Sequence, residues 1–202
     1  MNRLRVALAL SAAFVVAVTA GAACASPSDV DQIDYVAIHQ AGNSNQATVA
    51  GAGKVKLDQG GDGNQASVTQ SAPGDETALV NQLGHDNSVT LSQTGADNAV
   101  LVAQFGADNH ANVQQQSGSF GGNLALLAQV GANNSASLTQ SGDHNYAFQL
   151  QDGVGDTQSI VQTGGHNSAA YTQIGDNLPD LGIVQTGGMS VGIVQTGSPF
   201  GR

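Results

Sequence analysis

Cysteine, tryptophan and basic residues are almost missing from this sequence, and each absence narrows what the chain can be. The one cysteine, Cys24, lies near the start, so disulfides cannot stabilise the rest of the chain. Only 4% of the residues are aromatic and none is tryptophan, which argues against a thick globular core. Ala, Gly, Ser, Asn and Gln dominate instead. This composition favours a thin core built from small side chains.

Basic residues are scarce in the chain after residue 25. From residue 26 onward only Lys54, Lys56 and Arg202 are basic, against 15 acidic residues, which gives a net charge near −12. A chain with this charge is repelled by nucleic acid and by anionic lipid, so we expect neither as a partner. After the start, no apolar run approaches the roughly 20 residues that a membrane span needs, and we expect no membrane insertion.

The start of the chain predicts a secretory signal peptide. Arg3 and Arg5 give a positive start, residues 6–20 are apolar, and Ala23-Cys24-Ala25 forms a small-residue cleavage site. The alternative is a lipoprotein signal cut before Cys24, but Gly21 stands where a larger aliphatic residue is usual. We therefore expect a secreted, extracellular protein that is exported through the periplasm. The predicted parts are a signal peptide (1–25), an N-terminal segment (26–39), a repeat domain (40–197) and a C-terminal tail (198–202).

A short sequence repeat fills nearly all of the chain after that point. The copy between Gln59 and Gln70 reads Gln-x-Gly-x-x-Asn-x-Ala-x-Val-x-Gln, and the next copy begins at its last residue. A fixed short period means that one small unit is stacked many times and buries its surface against its neighbours. The glutamines that the pattern places in register are Gln40, Gln59, Gln70, Gln82, Gln93, Gln104, Gln116, Gln129, Gln140, Gln151, Gln162, Gln173, Gln185 and Gln195.

Each copy alternates between two kinds of side chain, which predicts a β-strand. In the copy that starts at Asn134, one face carries Asn, Ala, Leu and Gln while the other carries Ser and Thr. The Gly-x-x that follows each Gln supplies the residues of a tight turn. We therefore predict an all-β fold, a β-solenoid with two short strands per rung of about 22 residues. Six to seven rungs, stacked in parallel at about 4.8 Å, give a height of roughly 30 Å.

Inward amides in such a stack lie on copies of themselves and can hydrogen-bond along it, as in amyloid. Inward Ala, Val and Leu complete a dry interior with a cross-β arrangement. The predicted amyloid ladder comprises Gln59, Asn64, Gln70, Gln82, Asn87, Gln93, Asn98, Gln104, Asn109, Gln129, Asn134, Gln140, Asn145, Gln151, Gln162, Asn167 and Gln173.

Outward residues differ between alternate copies, so one sheet should be polar outside and the other apolar. The copy starting at Asn134 exposes Ser135, Ser137 and Thr139, whereas neighbouring copies expose large apolar side chains. An exposed apolar strip usually marks an interface. The alternative is that the segment before Gln40 or the tail covers it. The predicted lateral apolar face comprises Leu101, Leu124, Leu126, Tyr146, Phe148 and Leu150.

Charged and titratable residues fall in the turns. Asp86, Asp97 and Asp108 are predicted charge gatekeepers, because like charges stacked along an edge slow assembly and keep the monomer soluble. His144 and His166 stand one rung apart in the repeat, so they should stack about 4.8 Å apart on one edge. A polar turn residue repeated by duplication explains the two histidines, and a metal-binding or pH-sensing pair is the alternative. No catalytic residues, cofactor or metal site are predicted.

Several copies depart from the repeat pattern. Calcium-binding and ice-binding solenoids are the alternatives to an amyloid-like stack. Ala72 replaces the Gly, while Asp75 and Asp156 replace the Asn of their copies. Calcium-binding solenoids use a nine-residue Gly-Gly-x-Gly-x-Asp step, which is shorter than the step of this chain. An ice-binding solenoid needs a flat, regular Ser/Thr face, which His110 and Asn112 interrupt here. A capped binding module of either kind would not polymerise.

The repeated pattern, from about Gln40 to Gln195, closely resembles the repeat of curlins, the secreted subunits of bacterial curli fibres. The resemblance implies an extracellular functional amyloid, a self-assembling homopolymer that supports biofilm matrix, surface adhesion and aggregation. It also implies a nucleator subunit, a dedicated outer-membrane secretion pore, and chaperones that keep the monomer unfolded. The acidic balance favours a major subunit, and the minor nucleator subunit remains the alternative.

Overall fold

The computed structural model describes residues 16–19, 35–51, 53–71, 75–119 and 121–197. Within these ranges the chain forms sixteen β-strands and no helix. The strands are β1 (Val16–Thr19), β2 (Tyr35–Ala41), β3 (Gln46–Gly51), β4 (Lys54–Asp62), β5 (Gln65–Ser71), β6 (Thr77–His85), β7 (Ser88–Thr94), β8 (Ala99–Ala107), β9 (His110–Gln116), β10 (Leu124–Ala132), β11 (Ser135–Ser141), β12 (Tyr146–Val154), β13 (Thr157–Thr163), β14 (Ser168–Ile174), β15 (Ile183–Thr186) and β16 (Ser190–Thr196).

The strands form two parallel sheets that the chain visits in turn. Odd-numbered strands make up sheet A, in the order β1-β3-β5-β7-β9-β11-β13-β15, and even-numbered strands make up sheet B, from β16 to β2. Each strand therefore pairs with the strand two places along the chain. Seven rungs run from β2 with β3 to β14 with β15, and β16 adds half a rung. The predicted β-solenoid is confirmed.

Strict alternation of burial explains why these segments are strands. In β11 the inward residues Ala136, Leu138 and Gln140 are buried, while the residues between them reach the surface. The same inward pattern recurs rung after rung, so the core is one apolar seam between the two sheets. Tyr171 is the bulkiest of its fully buried side chains. A core this thin depends on many rungs covering one another.

Insertions between repeats leave the strand register unchanged. Residues 117–122 lengthen one turn, yet Gln104 pairs with Gln129, and Gln129 with Gln151, at equivalent positions of successive strands. The extra residues are absorbed at the edge of the solenoid, where the chain can bulge without breaking a ladder. Each inward position thus forms a straight column along the stack.

At one edge the strands extend further than the sequence indicates. The repeat predicts a turn at the Gly that follows each Gln, but β8 and β10 are nine residues long and continue through Gly106 and Gly131. These glycines have φ values of 126° and 111°, which residues with a Cβ rarely adopt. The turn prediction was therefore wrong for the nine-residue strands β4, β6, β8, β10 and β12, whereas β2 and β14 end before the Gly as predicted.

The solenoid includes strands that lie before the predicted repeat domain. β2 begins at Tyr35, inside the predicted N-terminal segment, and β1 lies within the predicted signal peptide and pairs with β3. The predicted cleavage site at residues 23–25, Ala72 and the tail 198–202 lie outside the described residues. Among the described residues, no helix is long and apolar enough to cross a membrane.

Candidate functional site: amide ladders and outer faces

Glutamine side chains form a continuous hydrogen-bonded column inside sheet B. Gln59 Nε2 donates to Gln82 Oε1 at 2.7 Å, and Gln82 Nε2 donates in turn to Gln104 Oε1 at 2.8 Å. Every donor points to the following rung, so the column has one direction. Its members are Gln40, Gln59, Gln82, Gln104, Gln129, Gln151, Gln173 and Gln195.

The same amides also fasten the two sheets together. Gln104 Nε2 donates its second proton to the Ser88 carbonyl oxygen of sheet A at 3.1 Å. Gln140, from sheet A, donates to the Leu124 carbonyl oxygen of sheet B at the same distance. Because these amides are buried, an unsatisfied N–H would cost about 1–3 kcal/mol. The Gln of each repeat therefore serves both the stacking of rungs and the closure of each rung.

Sheet A has an equivalent glutamine column, and it corrects one position of the sequence pattern. Gln93 Nε2 donates to Gln115 Oε1 at 3.0 Å, and Gln115 to Gln140 at 2.8 Å. Gln115 is buried and Gln116 is exposed, so the prediction that Gln116 stands in register was wrong. The column comprises Gln70, Gln93, Gln115, Gln140, Gln162 and Gln185.

Asparagines line the two edges of the interior. Asn87 Oδ1 accepts hydrogen bonds from the backbone N–H and the side-chain amide of Asn109, at 3.2 and 3.0 Å. The Asn109 amide also donates to the Gly131 carbonyl oxygen of the following rung at 3.0 Å. The Asn of each repeat thus holds the chain where it turns from one sheet to the other. The structure buries every member of the predicted amyloid ladder.

Two carboxyl groups occupy asparagine positions, and only one of them was assigned correctly from the sequence. Glu76, rather than Asp75, precedes β6 at the place where Asn98 precedes β8. Asp75 is exposed and forms an ion pair with Lys54 at 3.1 Å. Glu76 is fully buried, and neither carboxyl oxygen has a hydrogen-bond partner among the described residues. Burial raises the pKa of Glu76 to about 7, although the nearby Asn98 amide opposes the shift.

Asp156 takes an asparagine position at the opposite edge, as predicted. Its Oδ1 accepts a hydrogen bond from the Leu178 backbone N–H at 2.8 Å, while its buried Oδ2 has no partner in the described part of the chain. In the rung below, the Asn134 amide donates to Gly153 and Val130 carbonyl oxygens, a role that an ionised carboxylate cannot fill. Burial raises the pKa of Asp156, and the neighbouring charges of the chain add to the effect.

Replacing Asp156 by asparagine is expected to stabilise the fold by about 1–2 kcal/mol at pH 7, because a buried charge is removed and an amide donor restored. The denaturant midpoint of the monomer measures the change. Asp152→Asn is the matched control, since Asp152 is exposed on the same rung and should shift stability by less than about 0.5 kcal/mol. Equal midpoints for wild type and Asp156→Asn would contradict the expectation.

The outward side of sheet B carries a contiguous apolar surface. Leu101, Leu126 and Phe148 occupy equivalent positions of β8, β10 and β12 and point away from the core. Leu124 and Tyr146 are exposed beside them, and Leu150 is half-buried. The outward residues of sheet A at these rungs are polar except for Val161 of β13. All six residues of the predicted apolar face therefore lie on one surface.

A second apolar column on this surface escaped the sequence analysis. Leu83, Phe105 and Val130 stack at equivalent positions of β6, β8 and β10 and are all exposed. They occupy the position between the Gln and the Gly of the repeat, which the pattern assigns to a turn. The available signal was that this position is apolar in three successive sheet B copies but polar in sheet A.

The predicted charge gatekeepers are distributed over both edges of the solenoid, with Asp86 and Asp108 on the same edge as expected. Asp86 and Asp108 follow β6 and β8 at one edge, and Asp97 lies between β7 and β8 at the other. All three are exposed, with φ between 54° and 56°, a conformation that aspartate tolerates in turns. Asp86 and Asp108 stand at equivalent positions of adjacent rungs, so their charges are stacked.

Comparison with protein families gives a match to the same rungs that carry these ladders. The family described as curlin associated repeat matches residues 84–116 and 119–142, which span the end of β6 to β11. The chain therefore contains curlin associated repeats. The resemblance to the curlin family indicated by its sequence is therefore confirmed. No curated protein and no solved structure matches the chain significantly.

The curlin repeats extend, in structure, beyond the residues that the family description matches. The glutamine column of sheet B continues on both sides of the matched region, to Gln40 and to Gln195. Rungs outside the match thus share the hydrogen bonding of the rungs inside it. The curlin family is a family of structural amyloid subunits and not of enzymes.

The two histidines of this curlin-repeat protein stack as their spacing of one rung predicts. The ring centroids of His144 and His166 are 5.0 Å apart and the ring planes differ by 11°. Both residues lie in exposed turns with φ near 60°. Among the described residues, no group of three or more His, Cys, Asp or Glu side chains is arranged to hold a metal ion.

Proposed function

We propose that this chain is a secreted structural subunit that self-assembles into extracellular, curli-like functional amyloid fibres. The fibres would contribute to biofilm matrix and to adhesion at surfaces. The observation that carries the proposal is the solenoid's own construction, because each rung is held to the next by backbone ladders and by the amide columns. Adding another molecule then repeats the reaction that adds another rung.

Fibre assembly of the purified mature protein tests this function. We expect thioflavin fluorescence to rise after a lag, seeds to remove the lag, and fibre diffraction to show spacings of about 4.8 and 10 Å. A scrambled sequence of the same composition is the control for aggregation that depends on composition alone. A protein that stays monomeric at high concentration, with or without seeds, would contradict the proposal and favour a capped binding module.

The exposed aspartates have a place in this function as inhibitors of premature assembly. A subunit must travel unassembled before it reaches the cell surface, and stacked like charges disfavour stacking of further molecules. Asp86, Asp97 and Asp108 would act in this way, at the two edges and outside the amide columns. The family also suggests three partners in export and assembly, namely a secretion pore, chaperones and a nucleator subunit.

The apolar face of sheet B would join fibres side by side. Replacing Leu101, Leu126 and Phe148 together by serine is expected to reduce fibre bundling several-fold while elongation stays close to wild type. Bundle width by electron microscopy and the seeded growth rate measure the two effects separately. The matched control replaces Thr90, Asn112 and Ser137, the equivalent outward column of sheet A, by alanine. Equal loss of bundling and elongation would mean that the apolar face belongs to the fold.

A further inference from the structure

The two sheets of the solenoid differ in their terminal strands, and this difference determines how one molecule can stack on the next. Sheet B contains eight strands, whereas sheet A contains seven apart from β1, which lies in the predicted signal peptide. The repeats described by the structure therefore begin and end with a sheet B strand, β2 and β16. Among the described residues, each of these two strands is paired on one side only.

The two end strands of sheet B present the same inward side chains. β2 carries Val36, Ile38 and Gln40, and β16 carries Val, Ile and Gln at the equivalent positions 191, 193 and 195. The other sheet B strands do not have this triplet. All six side chains are half-buried, although the equivalent residues of inner strands are buried. Each end therefore leaves apolar surface partly uncovered that the other end could cover.

The hydrogen bonding of the glutamine column has the matching polarity. Gln40 Oε1 is buried and accepts no hydrogen bond from the residues that the structure describes, and it is the first acceptor of a column whose donors point along the chain. At the other end Gln195 accepts hydrogen bonds from Gln173 and Tyr171, but its own Nε2 makes none within the described residues. A free donor at one end thus corresponds to a free acceptor at the other.

The column of sheet A is closed at both ends. Gln185 Nε2 already donates to the Ser168 and Met189 carbonyl oxygens, at 2.9 and 3.0 Å. At the opposite end the column position is occupied by Gly51, which has no amide side chain. Rotating the next molecule by half a turn would place its β2 on β15. That arrangement puts the saturated Gln185 against Gln40, and Gly51 against the free Gln195.

We propose that successive molecules of this chain join through sheet B, with β16 of one molecule pairing in parallel with β2 of the next. The register places Val191 on Val36, Ile193 on Ile38 and Gln195 on Gln40, so that Gln195 Nε2 donates to Gln40 Oε1. The column of glycines that follow the sheet B glutamines extends across the junction as well, since it would bring Gly197 beside Gly42. This contact deepens the proposed fibre function and depends on it.

The proposed junction leaves sheet A interrupted. With β16 and β2 at one strand spacing, β15 and the next molecule's β3 are two spacings apart, about 9.6 Å, which is room for one further strand. The structure places β1 on the free side of β3, in the position of this gap. The sheet B contact is the same whether that position is filled or empty. Each junction is therefore held by one complete sheet and one incomplete sheet.

Cysteine cross-linking distinguishes the two ways of joining, because the chain after Ala25 has no cysteine of its own. In the proposed junction, Val194 lies beside His39 of the next molecule, with Cα atoms about 4.8 Å apart, within the range that a disulfide spans. In the half-turn arrangement, His39 instead lies beside Val184. Val184 and Val194 are both 74% exposed, so the two substitutions are matched in accessibility.

Mature protein carrying His39→Cys with Val194→Cys is assembled, oxidised and separated under non-reducing, denaturing conditions. We expect a ladder of covalent multimers, with at most dimers from either single-cysteine variant. His39→Cys with Val184→Cys should give no ladder. A ladder from the Val184 pair, or fibres of both variants without any ladder, would overturn the junction and leave the fibre function intact. Absence of fibres from the unmodified mature protein would overturn both.

Discussion

Replacing Gly106 by alanine is expected to lower the free energy of unfolding by about 4 kcal/mol or more, the range reached only by severe core substitutions. Gly106 has a φ of 126°, and a Cβ added there would lie 1.9 Å from the Gly131 carbonyl oxygen of the next rung. The obstructing atom belongs to the backbone of a ladder, so it cannot turn aside as a flexible side chain would. Strain at the substituted residue adds to the clash.

Denaturant midpoints of the monomer, measured below the concentration at which fibres form, test this expectation. Gly192→Ala is the matched control, because Gly192 lies in a sheet B strand, has no positive φ, and would place its Cβ with no heavy atom within 4 Å. We expect that control to change the midpoint little. Similar midpoints for the two variants would contradict the account of the glycine column as a steric requirement.

Acidification from pH 8 to pH 5 is expected to stabilise the monomer, and Glu76→Gln should remove most of this dependence. The pKa of Glu76 rises from 4.5 to about 7 on folding, so the folded state binds more protons than the unfolded state between these values. Stability is therefore lost as pH rises through about 7. The shift corresponds to a penalty of about 3 kcal/mol above pH 7, which is absent below pH 4.5.

The Glu76→Gln prediction is checked by denaturant midpoints at pH 5 and at pH 8. The variant should exceed the wild type by about 3 kcal/mol at pH 8 and by much less at pH 5. Asp75→Asn is the control, because Asp75 is the adjacent carboxylate but is exposed and only ion-paired with Lys54. A difference between wild type and Glu76→Gln that does not change with pH would show that ionisation of Glu76 is not the cause.

The period and the alternation of the repeat were enough to predict the architecture of the solenoid. A constant step with polar and apolar residues in turn determines which side chains face inward, and the columns of Gln104 and Asn109 lie where the pattern places them. Such patterns are reliable because a slip of one residue would turn every side chain of a strand to the wrong face. The apolar outer face followed from the same alternation.

The two wrong assignments, Gln116 and Asp75, lie next to insertions that interrupt the regular spacing of the repeat. The insertion at residues 117–122 makes it unclear which of the consecutive glutamines closes the preceding strand, and burial decides for Gln115 over Gln116. The insertion around residue 73 likewise hid the fact that Glu76, not Asp75, enters the interior. An insertion moves residues along the sequence without moving the ladder, so spacing alone cannot locate the column next to it.

The different ends of the strands at the two edges could not be predicted from the sequence. The pattern Gln-x-Gly-x-x-Asn is the same at both edges, yet β10 continues through Gly131 whereas β11 ends before Gly142. The difference depends on how neighbouring rungs approach each other, which no single copy encodes. The apolar column at Leu83, Phe105 and Val130 lies on the longer strands of this edge, and its one sequence signal was the apolar residue at that position in three successive sheet B copies.

The opposite orientation of the two kinds of amide has an electrical consequence. In the glutamine columns, the carbonyl of Gln104 faces the preceding rung and accepts from Gln82, whereas the carbonyl of Asn87 faces the following rung and accepts from Asn109. The amide dipoles of the two families therefore oppose each other along the long axis. A filament built from this chain would gain little axial dipole as it lengthens, so its two tips would not accumulate opposite potential.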